Sequence, residues 1–100
     1  MKIEFKRSGG FAGIGVRLSL ESADLPPAER EALERLIERS RFFELPARLA
    51  APHPDAFQYD LTIEDEGRRH AVHLDDRGAP EDVKPLLRHL IDLARARRSG

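Results

Sequence analysis

The chain has 100 residues, which is enough for one domain and too few for two. Its 17 basic and 18 acidic residues leave a formal net charge of -1, so the composition does not fit a nucleic-acid-binding protein, which needs a basic surface. The absence of cysteine excludes disulfides, thiolate metal sites and a cysteine nucleophile. No apolar run is long enough to span a membrane, and residues 1–6 lack the apolar core of a signal peptide. We therefore expect a cytoplasmic protein that binds neither nucleic acid nor membrane.

The first two segments of the chain in which apolar and polar residues alternate predict a β-hairpin. The second of them covers residues 14–20, and a glycine-rich stretch separates it from the first. We expect Phe5 to pair with Val16, which places all the apolar side chains on one face. The same register places Glu4 opposite Arg17, a favourable pair on the other face.

A helix is predicted to follow, because Pro26 and Pro27 suit a first helical turn. Its buried stripe is predicted to consist of Leu33, Leu36, Ile37 and Ser40. The pattern fades after Ser40. Residues 44–54 contain three prolines and are predicted to form a loop.

A second hairpin is predicted around the turn signal Glu66–Gly67. A two-residue turn pairs Leu61 with Val72 on the apolar face and Glu64 with Arg69 on the polar face. Burial and charge therefore favour the same register.

The last helix is expected to begin close to Asp82, since Pro85 must lie in its first turn. Its apolar stripe consists of Val83, Leu87, Leu90, Ile91 and Ala94, flanked by Leu86 and Leu93. The order ββαββα predicts an α+β fold, with a four-stranded, largely antiparallel sheet and both helices on one face. We expect residues 1–98 to form one domain and residues 99–100 to be a frayed tail.

The polar residues do not form a recognisable active site. His73 is expected to pair with Asp60 on the polar face, and His70 to lie partly buried near the second turn. No three or four ligands converge on a metal, and no serine lies in a nucleophile elbow. The segment Gly10–Gly13 has the form G-x-x-G but does not lead into a helix, as a phosphate-binding loop would. We therefore expect a protein that is not an enzyme and needs no cofactor or metal.

Phe11 is the one large apolar residue in the glycine-rich connection. One interpretation is that its ring folds back and covers the end of the core. The other is that it anchors a partner, because buried aromatic side chains contribute much of the binding energy of interfaces.

Four segments, in this order and spacing, resemble the emfourin family. They are Ser8–Ile14, Leu25–Glu29, Phe42–Leu49 and Phe57–Asp65, and the resemblance extends over residues 1–95. Emfourins are small bacterial proteins named for inhibiting protealysin, a thermolysin-like zinc metalloprotease. The resemblance implies a cofactor-free α+β inhibitor that binds such a protease.

Two segments are candidate protease-binding surfaces under this resemblance. Thermolysin-like enzymes favour a bulky apolar residue just after the scissile bond, and Phe11 would enter that pocket. The loop of residues 45–55 is long for a compact domain and is the second candidate, with His53 or Asp55 near the protease zinc. The candidate residues are Gly9, Gly10, Phe11, Ala12, Gly13, Leu49, His53 and Asp55.

Two other functions compete with inhibition at this stage. One is a general interaction module or a homo-oligomer formed through the last helix, although we expect a monomer. The other is an enzyme whose site is assembled from scattered residues, for example a deep pocket lined by His70 and two carboxylates.

Overall fold

A computed structural model describes residues 1–9, 15–49 and 56–98. The strands are β1 (Lys2–Gly9), β2 (Val16–Glu21), β3 (Arg48–Leu49), β4 (Phe57–Asp65) and β5 (Arg68–Asp75). The helices are α1 (Pro27–Ser40) and α2 (Lys84–Arg98), and two short 3-10 helices cover Ser22–Asp24 and Phe42–Glu44.

The strands form one five-stranded sheet in the order β2-β1-β4-β5-β3. All pairs are antiparallel except β3–β5, which is parallel. The predicted α+β class is confirmed, but the sheet has a fifth strand and is mixed. The prediction of a plain loop over residues 44–54 was wrong at this point. Arg48 pairs with His73, and the His73 N–H donates to the Ala47 carbonyl at 2.8 Å.

Alternation places the buried apolar residues of the strands on one face, which we call the inner face. The helices cover this face, and their buried side chains join those of the strands in a single apolar core. Phe42, Ile3, Leu33, Leu61 and Leu86 are among its fully buried members. Leu86 therefore belongs to the core, whereas Leu93 is only partly buried.

The two hairpins differ in how well their registers were predicted. In β4–β5, Leu61 faces Val72 and Glu64 faces Arg69, as expected. In β1–β2 the predicted register was wrong by two residues, because Phe5 faces Leu18. A shift of two residues keeps each side chain on its face, so burial alone does not exclude it.

The shift changes the charge pairs on the exposed outer face of the sheet. Glu4 faces Ser19 instead of Arg17, and Arg17 faces Lys6. The predicted Glu4–Arg17 pair is therefore wrong. Lys6 also faces Asp60 of β4. It therefore lies between Arg17, which has the same charge, and Asp60, which has the opposite charge.

Both helices begin and end near their predicted limits. α1 starts at Pro27 and buries Leu33, Ile37 and Ser40. It ends where Arg41 adopts a left-handed conformation, with φ of 52°. α2 starts at Lys84, two positions after the expected Asp82. No helix in the described ranges has both the length and the apolar character that a membrane span requires.

Candidate functional site at one end of the sheet

Both predicted binding segments begin and end at the same end of the sheet. β1 ends at Gly9, which pairs with Phe57 at the start of β4. β3 ends at Leu49 and runs parallel to β5, which ends at Asp75. Residues 10–14 therefore connect strands at this end, and so do residues 50–55. We call it the loop end, defined by Gly9, Leu49, Phe57 and Asp75.

Gly9 has a backbone conformation that other residues rarely adopt. Its φ is +88°, in the left-handed region, and a Cβ atom there would lie 3.2 Å from the Ala56 carbonyl oxygen. Glycine therefore relieves both backbone strain and a close contact at this position. It sets the point at which the chain leaves β1 for the segment that contains Phe11.

A buried aspartate organises the turn that follows β5. The fully buried Asp75 carboxylate accepts N–H bonds from Arg77 at 3.0 Å and Gly78 at 2.6 Å. The Asp75 carbonyl accepts a third bond from the Ala79 N–H, also at 3.0 Å. These bonds hold the turn in one conformation beside β3.

Gly78 brings this turn against the backbone of β3. A Cβ atom on Gly78 would lie 1.6 Å from the Leu49 carbonyl oxygen, so only glycine fits. Leu49 is itself half-buried against the core and pairs with Leu74. Strand β3 is therefore paired with β5 and in close contact with Gly78. This short strand immediately precedes residues 50–55.

An aromatic and charged cluster supports the inner side of the loop end. The Arg7 guanidinium lies over the Phe57 ring, 4.4 Å from its centroid. The Tyr59 hydroxyl donates to Asp76 at 2.5 Å, and the Tyr59 ring stacks on Phe5 with centroids 6.1 Å apart. The pKa of Tyr59 is raised above its ordinary value of 10.0. The larger cause is burial of the side chain, and the next is the hydrogen bond to Asp76. Tyr59 therefore stays protonated at neutral pH and acts as a hydrogen-bond donor that fixes this corner.

The histidines do not converge. His73 lies on the outer face, with Nδ1 2.7 Å from an Asp60 oxygen and Nε2 2.9 Å from the Gln58 side-chain oxygen, which confirms the predicted pair. His70 is half-buried at the other end of β5, with Nε2 2.7 Å from the Leu45 carbonyl oxygen. Within the residues that the structure describes, no three His, Asp or Glu side chains could together bind a metal ion.

The structure places two of the predicted site residues, and both are at the loop end. Gly9 ends β1, and Leu49 ends β3. The other six lie outside the described residues: Gly10, Phe11, Ala12, Gly13, His53 and Asp55.

Sequence reasoning missed the residues that support this end. Phe57 and Tyr59 were assigned to a strand, but nothing in their spacing indicated which strand would lie next to β1. Gly78 follows two aspartates and an arginine in a turn-like segment, and a lone glycine there does not reveal a backbone contact with residue 49.

Comparison with family models gave a match to the emfourin family over residues 5–91. Comparison with curated proteins gave no match, and comparison with solved structures gave none either. The matched range begins within β1 and ends within α2. It therefore includes most of β1, the other four strands, all of α1 and residues 10–14 and 50–55. On this evidence the chain belongs to the emfourin family.

Proposed function

We propose that this protein inhibits thermolysin-like, protealysin-type zinc metalloproteases by placing its loop end across the active-site cleft. The family assignment over residues 5–91 carries the proposal. Emfourins are named for inhibiting protealysin, so membership of the family implies a protease as the partner. The geometry of the loop end supports it, since residues 10–14 follow β1 and residues 50–55 precede β4, the strand that pairs with β1.

Phe11 is the proposed anchor. Its sequence position between Gly10 and Ala12 places a large apolar side chain in the segment that follows Gly9. An apolar ring suits the pocket that thermolysin-like enzymes provide for the residue after the scissile bond. Burying an aromatic side chain in a preformed pocket is the usual source of a binding hot spot.

The second segment, residues 50–55, is proposed to make a supporting contact. β3 directs it from Leu49 towards the same end of the sheet, and its sequence contains His53 and Asp55. An imidazole or a carboxylate is a chemically suitable neighbour for the protease zinc. This protein would then contribute binding energy from two separate segments without any chemistry of its own.

Residual peptide cleavage by a thermolysin-like protease, titrated with the purified protein, tests the proposal. We expect stoichiometric loss of activity, with one protomer per protease. Phe11→Ala should weaken inhibition by about 2 kcal/mol or more, which is roughly 30-fold in the inhibition constant. Phe11→Leu keeps an apolar side chain of similar reach and should retain most of the inhibition.

The matched control is Arg39→Ala, an exposed position in the last turn of α1 and outside the loop end. It should inhibit like the native protein. Full protease activity in the presence of excess folded protein would refute the proposal. If inhibition survives Phe11→Ala but is lost in the double variant His53→Ala/Asp55→Ala, the second segment is the anchor instead.

A further inference from the structure

Strand β2 forms one edge of the sheet. The strand order places β1 on one side of it, and within the described ranges no strand pairs with its other side. An edge strand offers unpaired N–H and C=O groups to any segment that can adopt an extended conformation beside it.

The register shows which backbone groups point outward. The Ser22 N–H donates to the Met1 carbonyl at 2.8 Å, so these opposed residues form a hydrogen-bonded pair of the β1–β2 ladder. Antiparallel pairs alternate between hydrogen-bonded and non-hydrogen-bonded. The backbone groups of Val16, Leu18 and Leu20 consequently point towards β1, and those of Arg17, Ser19 and Glu21 point away from the sheet.

The same three residues carry a charge pattern that complements itself. If two copies of β2 pair antiparallel about a two-fold axis at Ser19, Arg17 of each copy lies opposite Glu21 of the other. Leu18 then lies opposite Leu20 on the inner face. A register centred on Arg17 would pair two arginines, and one centred on Leu18 would pair Arg17 with Ser19. The register at Ser19 is the one that matches opposite charges twice.

Arg17 has an unfavourable neighbour within its own chain. It lies opposite Lys6 in the β1–β2 ladder, and like charges directly opposite each other destabilise a sheet. Glu21 of a second copy would offset this repulsion. Arg17 and Ser19 are exposed on the outer face, and Glu21 is partly exposed. The Glu21 Oε1 atom already accepts from the N-terminal ammonium of Met1 at 2.6 Å, so Arg17 of a second copy would share this carboxylate through its other oxygen.

We propose that this protein forms a two-fold symmetric dimer in which two β2 strands pair antiparallel about Ser19 and join the two sheets into one. About six N–H···O bonds would form, two for each of the three hydrogen-bonded pairs. We expected a monomer from the sequence alone, which does not show that β2 lies at an edge of the sheet.

The two-fold axis has a consequence for binding. β2 begins at the loop end, next to Gly15, and a partner strand that runs antiparallel begins at the opposite end of the joined sheet. The two loop ends of the dimer therefore face in opposite directions. Each remains accessible, so the dimer would present two separate protease-binding ends.

Sedimentation velocity over about three orders of magnitude in protein concentration tests the proposal. The native protein should shift from monomer to dimer as the concentration rises. Arg17→Glu places two glutamates opposite each other, and Glu21→Arg places two arginines opposite each other. Either should raise the dissociation constant roughly tenfold or more. The double variant R17E/E21R exchanges the charges and should restore the dimer.

Two further variants separate this interface from other causes. Ser19→Pro removes an outward N–H and should abolish dimerisation, while its missing N–H costs no bond to β1. Arg39→Glu makes the same charge reversal as Arg17→Glu on the exposed side of α1 and should dimerise normally. Far-UV circular dichroism must show that each variant is folded.

A native protein that stays monomeric at every concentration would overturn the proposal. So would a dimer whose dissociation constant is the same in Arg17→Glu, or one that the double variant fails to restore, because the contact would then lie elsewhere. Protease inhibition per protomer should be unaffected by Arg17→Glu. The dimer and the inhibitory function can thus fail independently.

Discussion

The two ends of the sheet are built in opposite ways. At the turn end, defined by Lys2, Asp65 and Arg68, a two-residue turn joins β4 to β5 with φ of 51° at Glu66 and 79° at Gly67. At the loop end, residues 10–14 connect β1 to β2, and residues 50–55 connect β3 to β4. The turn end is closed by the backbone geometry of a tight turn. The loop end is instead stabilised by packing among the strands and the turn that adjoin its two segments.

Aromatic packing reinforces the turn end. Phe42 is fully buried, and its ring meets Phe43 edge-on at 5.6 Å and His70 at 5.4 Å. The Arg68 guanidinium lies 3.9 Å from the centroid of the Phe43 ring. We expect substitutions at the turn end to affect stability and substitutions at the loop end to affect inhibition as well.

Removing the Phe42 ring should cause the largest loss of stability. Phe42→Ala deletes a fully buried aromatic side chain at the turn end and should lower the free energy of unfolding by about 4 kcal/mol. Guanidinium chloride unfolding measures this. Phe42→Leu fills most of the space and should cost much less. Protease inhibition by the fraction that remains folded should be native-like, and weakened inhibition would contradict the division between the ends.

Adding a methyl group to Gly78 should damage the loop end instead. The new Cβ would lie 1.6 Å from the Leu49 carbonyl oxygen, so β3 or the turn must move. We expect Gly78→Ala to cost about 3 kcal/mol of stability and also to weaken inhibition, because β3 directs residues 50–55. The matched control is Gly15→Ala, whose Cβ would meet its nearest atom at an ordinary 3.5 Å. Native stability in Gly78→Ala would contradict the close packing described here.

The glycines with left-handed backbone at the two ends give a direct comparison. In Gly67→Ala the new Cβ atom would have no other atom within 4 Å. The substitution should therefore lower the free energy of unfolding only through backbone strain, by about 1 kcal/mol. Gly9→Ala adds a contact of 3.2 Å with the Ala56 carbonyl oxygen and should cost about 2 kcal/mol. Denaturant unfolding compares the two. Inhibition should weaken only in Gly9→Ala, and equal inhibition by both variants would show that this glycine does not position the Phe11 segment.

The Tyr59 hydroxyl should have the smallest effect at neutral pH. Tyr59→Phe removes its hydrogen bond to Asp76 and should cost about 1 kcal/mol. The pKa of Tyr59 is raised in the folded state, so the folded protein retains this proton better than the unfolded chain does. Native stability should therefore fall as the pH rises above 10.0, the ordinary value.

Thermal unfolding at several alkaline pH values measures this dependence. Tyr59→Phe should show a weaker fall in stability above that pH than the native protein. The variant Asp76→Asn keeps a hydrogen-bond acceptor without the charge. Its loss of stability at alkaline pH should be intermediate between that of the native protein and that of Tyr59→Phe. An equal decline in all three proteins would mean that Tyr59 does not titrate differently in the folded state.

The second hairpin shows what local sequence can determine. Its register was predictable because a two-residue turn at Glu66–Gly67 leaves no freedom in the pairing. The first hairpin has a long glycine-rich connection, which permits a shift of two residues without moving any side chain to the wrong face. Only the position of β1 against both β2 and β4 fixes its register, and that is a tertiary effect.

The fifth strand and the supporting residues of the loop end were beyond prediction for a related reason. Arg48 and Leu49 are too few to show alternation, and β3 exists because the Ala47 carbonyl accepts a bond from His73, far along the chain. Gly9 and Leu49 were identified from the segments that they adjoin. Gly78 and Tyr59 act through contacts that only the assembled sheet creates.

The strand order also bears on how this protein folds. β1 comes first among the five strands in the chain, yet it lies inside the sheet, between β2 and β4. Its pairing with β4 joins residues that are far apart in sequence, such as Phe5 and Leu61. A newly synthesised chain can form the β1–β2 hairpin early, but the central ladder must wait until β4 has been made. Such non-local pairing slows folding, and we expect the rate-limiting step to be the docking of the β4–β5 hairpin onto β1.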